Sequence, residues 1–115
     1  MGSLRTEMMV NKYKEYQKAN PSDGSCPLCS REPLKAYSHW KIIDNKFPYD
    51  IIATTHHMVV PLRHVVEAEL TEAELKEFES IKTNFINPGY NYIIEATPLQ
   101  KSIPGHFHLH LIIAK

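Results

Sequence analysis

The stretch His106-Phe107-His108-Leu109-His110-Leu111-Ile112-Ile113-Ala114-Lys115 decides how the rest of the chain is read. Three histidines alternate with large apolar residues, and a period of two is that of a β-strand. Successive side chains of a strand leave on opposite faces, so His106, His108 and His110 share one face at steps of about 6.6 Å. Phe107, Leu109, Leu111 and Ile113 share the other, which must lie on a core. A single histidine is ordinarily a satisfied core or surface residue. Three of the chain's seven on one face are not explained that way. Imidazole titrates near neutrality, ligates metals and acts as a nucleophile. The strand reads as a functional site.

The chain has 115 residues, enough for one compact domain with one core. Lys+Arg and Asp+Glu are both 13, so no global field argues for nucleic acid or an anionic membrane as partner. No apolar run approaches a membrane span and the N-terminus has no signal-peptide core. Two cysteines are too few for a disulfide framework, and a reducing cytoplasm is the expected setting.

Working back from the histidines, residues 6–19 carry Met9, Tyr13 and Tyr16 at helical spacing, which predicts a short amphipathic helix stopping at Asn20-Pro21. Residues 1–25 then form an N-terminal helix and loop, ahead of a domain over 26–115. Ser38 to Asp44 reads as a strand with Trp40 and Ile42 on one face, broken at Asn45-Lys46-Phe47-Pro48-Tyr49 because proline has no N–H to give a sheet. His56 to Pro61 is a second strand. Thr71-Glu72-Ala73-Glu74 is a capping box, with Leu70 and Leu75 placed to staple the first turn. Leu75, Phe78, Ile81 and Phe85 continue at helical spacing, so a packed helix is expected to end before Asn87-Pro88-Gly89. Tyr90 to Ala96 alternates into a further strand. Strands with one long helix packed on them make an α+β domain with a mainly antiparallel sheet.

Cys26-Pro27-Leu28-Cys29 has two readings, half of a metal site or a redox pair. The redox reading expects the motif to open a helix in a βαβ unit, and Ser30-Arg31-Glu32-Pro33 does not suggest one. Zinc would need two further ligands from histidine or carboxylate.

In the order of its motifs the chain, over roughly residues 26 to 112, resembles the histidine triad (HIT) family of nucleotide hydrolases and transferases. The family pattern His-x-His-x-His followed by apolar residues is matched by His106 to Ile112, preceded by Asn45-Lys46-Phe47-Pro48-Tyr49, His56 and Val60-Pro61-Leu62-Arg63-His64. The resemblance implies a half-barrel of mainly antiparallel strands, usually dimeric, so a homodimer is expected. It implies that His108 is a nucleophile toward the α-phosphorus of a nucleotide or nucleotide conjugate, giving a nucleotidyl-histidine that water or another acceptor resolves. His106, His110 and His56 would assist, Ser102 would contact phosphate, and Asp44 and Asn45 would meet the ribose. By the same resemblance a structural zinc would sit on Cys26, Cys29, His64 and His106, the alternative being reduced thiols packed under the sheet.

Two departures from the family pattern stand out. Ile103-Pro104-Gly105 puts one more residue than usual between Ser102 and His106, and Glu95 stands where many members place an asparagine that contacts phosphate. A carboxylate beside several histidines is expected to orient one of them. Two other functions stay open from the residues. One is a nucleotide-binding module without turnover. The other is a zinc hydrolase using His106, His108 and His110 together, although three alternate strand positions span about 13 Å, too far for one ion.

Overall fold

The alternation of the histidine strand carries through the whole sheet. The computed structural model describes residues 3–21, 24–100 and 103–115. Five strands, β1 (Lys35–Ala36), β2 (Trp40–Asp44), β3 (Ala53–Pro61), β4 (Tyr92–Ile94) and β5 (Leu109–Ala114), form one open sheet in the order β1-β2-β3-β5-β4. Every neighbouring pair is antiparallel. The histidine strand is therefore interior, paired with β3 on one side and β4 on the other. Its ladder begins at Leu109 opposite Val59, three residues later than the alternation suggests, because Phe107 gives its N–H to the Val65 carbonyl instead (2.7 Å).

One face of the sheet is the main core. Trp40, Ile42, Val59, Phe107, Leu109 and Leu111 meet Ile81 and Ile86 from the long helix. Burial of each such large side chain stabilises the fold by about 1.5–3 kcal/mol. The Trp40 indole N–H donates to the Glu74 carbonyl (2.8 Å), which ties β2 to the start of that helix. The opposite face carries Ile43, Met58 and Val60, covered by Leu28. His56, His108 and His110 lie on that second face, in register with these residues.

The long helix begins as the capping box requires. Thr71 Oγ1 accepts the Glu74 N–H (3.2 Å) and Glu74 Oε1 accepts the Thr71 N–H (2.8 Å). Two expectations for it are corrected. Leu75 is 49% exposed and does not join the core, because the inward position of the first turn belongs to Glu74, which is buried and held by Arg63. The buried stripe is Glu74, Phe78, Ile81 and Phe85, and Leu75 stands about 100° round the axis from it. Nor does the helix stop before Asn87-Pro88-Gly89. α2 (Glu72–Ile81) runs through a π-helical stretch (Lys82–Ile86) into a last turn (Asn87–Gly89), 18 residues in all. In a regular α-helix the Pro88 ring would strike the carbonyl four residues back. The wider π-turn, in which Asn87 donates to the Lys82 carbonyl, moves that carbonyl aside.

The N-terminal helix α1 (Glu7–Ala19) is capped by Thr6 and buries no residue of its own. It is fastened from outside. Thr6 gives both its N–H and its hydroxyl to the Asp50 carboxylate (2.7 Å each), and Tyr13 and Tyr16 pack on Phe47 with ring centroids 4.9 and 5.1 Å apart. Among the described residues no helix is long and apolar enough to cross a membrane.

Candidate active site and metal-ligand cluster

Two groups of polar side chains lie on the histidine face. The first gathers around the C-x-x-C turn. Leu28, between the two cysteines, is 2% exposed and anchors the turn on Ile43, Met58 and Val60. Lys41, almost buried on β2, donates to the carbonyls of Cys29 (3.3 Å) and Arg31 (2.8 Å) and holds the turn from below. The sulfurs of Cys26 and Cys29 each lie 3.4 Å from His106 Nδ1, and Cys29 Sγ lies 3.4 Å from His64 Nδ1. All four ligand atoms fall within 4.8 Å of one another. A tetrahedral zinc with Zn–S near 2.3 Å and Zn–N near 2.0 Å would separate sulfur and nitrogen by about 3.5 Å.

The protonation pattern suits a ligand as well. His106 Nε2 lies 2.9 Å from the Pro61 carbonyl, which can only accept, so Nε2 carries the proton and the Nδ1 lone pair faces the sulfurs. Burial, followed by the neighbouring Cys26 thiol, raises the Cys29 pKa; a divalent cation would reverse that tendency. Cys26, Cys29, His64 and His106 could therefore hold a metal such as zinc. Bound there, the ion would cross-link the turn to the segment leading into β5 and to the strand exit at His64, a structural service. Among the described residues no other group of three His, Cys, Asp or Glu converges in this way, and in particular His106, His108 and His110 do not share one point.

The second group centres on His108, His110 and His56, and the bonds that link Tyr49, His56 and His110 have one consistent direction. The Tyr49 backbone N–H donates to His56 Nδ1 (3.0 Å). His56 must then carry its proton on Nε2, which donates to His110 Nδ1 (2.8 Å). His110 in turn carries its proton on Nε2, 3.3 Å from the Tyr49 hydroxyl. Tyr49 thus opens the chain with its backbone and closes it with its side chain. Burial first, then the Arg5 and His57 charges, push the His56 pKa down to about 4. Burial first, then His56, His108 and Arg5, push that of His110 down to about 3. Both rings are neutral at pH 7. His108 Nδ1 lies 2.8 Å from the His106 carbonyl, which can only accept, so Nδ1 carries a proton.

His108 and His110 form the floor of a cleft of about 220 Å³ beside the C-x-x-C turn. Asn45, Tyr49 and Phe47 line it from the loop after β2, and Arg5, Tyr13 and Tyr16 from the N-terminal segment. Arg31 and Lys46 complete its charges, so three cations and no carboxylate face the cleft among the described residues. The chain as a whole is neutral. The local field is therefore strongly positive, and aromatic rings stand beside it. An anionic ligand with a flat apolar part matches these walls.

The expected site residues divide accordingly. His108, His110 and Asn45 line the cleft, His56 is buried behind them against His110, and His106 turns its ring to the cysteines while lending its carbonyl to His108. Asp44 does not reach the cleft. It follows Trp40 and Ile42 to the helix side of the sheet, where its carboxylate lies 3.9 Å from His57 Nε2. Glu95 is exposed just past β4 and makes no hydrogen bond or ion pair with any described residue, so it orients no histidine of the cluster. Ser102 lies outside the described residues. Tyr49 and Arg5 were not anticipated as site residues. Neither sits in a periodic pattern, and both arrive only when the segments before β2 and after it fold back over β5. No protein-family model matches the chain, and no curated protein matches it in sequence.

Proposed function

We propose that the protein is a histidine triad enzyme, a half-barrel nucleotide hydrolase or nucleotidyl transferase with His108 as nucleophile. One observation carries the reading. The His108 Nδ1–H is committed to the His106 carbonyl, which assigns the nucleophile's role to Nε2, in a cleft lined by Arg5, Arg31 and Lys46 and by no described carboxylate. An imidazole nitrogen attacks an electrophile surrounded by negative oxygens only where cations offset the repulsion. In the reaction, His108 Nε2 bonds to the α-phosphorus while the bond to the leaving group breaks and the leaving group takes the electron pair. Water or a second acceptor then attacks the nucleotidyl-histidine, returning the lone pair to Nε2. The Tyr49 hydroxyl, which accepts the His110 N–H, stands at the same wall and donates its own proton to a phosphate oxygen. The aromatic rings of the cleft are the surface for the base.

Incubation with adenosine and guanosine phosphoramidates and dinucleoside polyphosphates, followed by intact-mass measurement, tests this reading. The expected result is a nucleotidyl adduct on the wild type and none on His108→Ala. Losing a covalent nucleophile should cost more than the roughly 10²–10⁴-fold of a proton-transfer helper. Binding without turnover would make the protein a nucleotide-binding module. Equal rates for wild type and His108→Ala would end the covalent mechanism.

A further inference from the structure

Arg5 lies outside the histidine strands and outside every motif of the sequence, yet it stands at the wall of the cleft. Its Nε–H donates to the Phe47 carbonyl (2.7 Å). Its guanidinium carbon lies 5.2 Å from the centre of the Tyr13 ring and 4.9 Å from that of Tyr49. The Tyr49 hydroxyl is the group that meets His110. The guanidinium is thus clamped between two aromatic faces and aimed by one backbone bond. Among the described residues no carboxylate pairs with it and its two terminal nitrogens have no hydrogen-bond partner. A half-buried arginine held this rigidly keeps four N–H donors for a ligand, in the planar fork that suits phosphate oxygens.

The segment that carries Arg5 is itself latched. Thr6 grips Asp50 through two hydrogen bonds, and the Leu4 carbonyl accepts the Ile51 N–H (3.1 Å). Both partners sit just before β3, the strand that bears His56. Arg5 is therefore indexed to the histidine cluster by three hydrogen bonds, one from the residue before it and two from the residue after it.

We propose that Arg5 is the anion-binding side chain of this cleft, and that the N-terminal segment is a built wall of the site. The identity of the anion as a phosphate of a nucleotide rests on the function proposed above. Arg31 and Lys46 are less committed to that place. Arg31 donates to the Asp44 carbonyl (2.6 Å), and Lys46 lies over the Tyr16 ring and contacts its hydroxyl (3.4 Å).

The test measures dissociation constants of AMP, inorganic pyrophosphate and adenosine for wild type, Arg5→Gln, Arg5→Lys and Thr6→Val. Arg5→Gln is expected to weaken AMP and pyrophosphate by about tenfold or more, as for loss of a charge-assisted bidentate contact, and adenosine by less than about twofold. Arg5→Lys should recover part of the loss, and Thr6→Val should weaken the two anions because the segment is unlatched. Near-UV circular dichroism of each variant reports whether the aromatic wall is intact. Unchanged anion affinity in Arg5→Gln, equal loss for adenosine, or no anion binding by the wild type would overturn the inference. The two proposals fail separately. Arg5-dependent pyrophosphate binding with no nucleotidyl adduct removes the nucleotide reading alone, and an adduct with AMP affinity indifferent to Arg5 removes this one alone.

Discussion

Lowering the pH from 7.5 to 5 should destabilise the fold through His56 and His110. Both are neutral in the native state because burial disfavours the charged ring, and each imidazole already uses one nitrogen as an acceptor. His56 Nδ1 takes the Tyr49 N–H and His110 Nδ1 takes the His56 N–H. Protonating either ring sets two donors against each other, with Arg5 adding like charge. The folded values, about 4 and about 3, lie below the ordinary 6.5. The unfolded chain therefore binds protons first. The stability these rings contribute is complete above pH 6.5 and is lost as the pH falls toward the folded values. From 6.5 to 5 the loss is about 1.4 kcal/mol per pH unit, hence about 2 kcal/mol per histidine and about 4 for the pair. For a chain of this size that lowers Tm by about 15 °C. Urea unfolding of wild type and His110→Asn at the two pH values provides the assay. The asparagine oxygen still accepts from His56 but does not titrate. The variant's loss should be smaller by about 2 kcal/mol, a difference that cancels any pH dependence of metal binding. Equal losses in the two proteins, or a His56 or His110 ring titrating near its ordinary value by NMR, would refute the reasoning.

Protein prepared with zinc should carry about one ion per chain, lost on Cys29→Ser; its removal by chelator should cost about 3 kcal/mol of stability if zinc had been a hundredfold above its Kd. Metal analysis with paired melting curves checks both. Glu95→Gln should change kcat/KM by less than about twofold, because the carboxylate makes no hydrogen bond or ion pair with any described residue; a larger effect in steady-state kinetics would place it at the phosphate after all. The short edge strand β4, with Tyr92 60% exposed, is expected to be covered by a second copy of the chain, and light scattering at micromolar concentration should return the dimer mass.

The alternation in residues 106–114 was legible because one face of β5 meets Trp40 and Leu111's neighbours while the other meets the cleft, and a period of two survives only when both faces are so committed. Thr71 and Glu74 were legible because a capping box is a purely local bargain between side chains and orphan N–H groups. Leu75 misled for the opposite reason: Arg63, eleven residues upstream, makes it favourable for Glu74 to occupy the inward place. The same alternation that put Trp40 and Ile42 on the core side also put Asp44 there, against the role that the family resemblance gave it. Lys35–Ala36 is too short for any period to announce it. Arg5 and Tyr49 owe their places to chain segments more than forty residues from the strand or segment they meet, and no local pattern records such a contact.

His106 sends three of its polar groups in three directions: Nδ1 to the cysteine sulfurs, Nε2–H to Pro61, and its carbonyl to His108. A redesign of the cluster for another metal is consequently confined to Cys26, Cys29 and His64. A cysteine at 106 would keep a ligand and a carbonyl yet forfeit the bond to Pro61, and the strand would be free to rotate the oxygen that fixes the His108 tautomer. An engineer who exchanges that ring to retune the ion would be altering the chemistry next door with the same stroke.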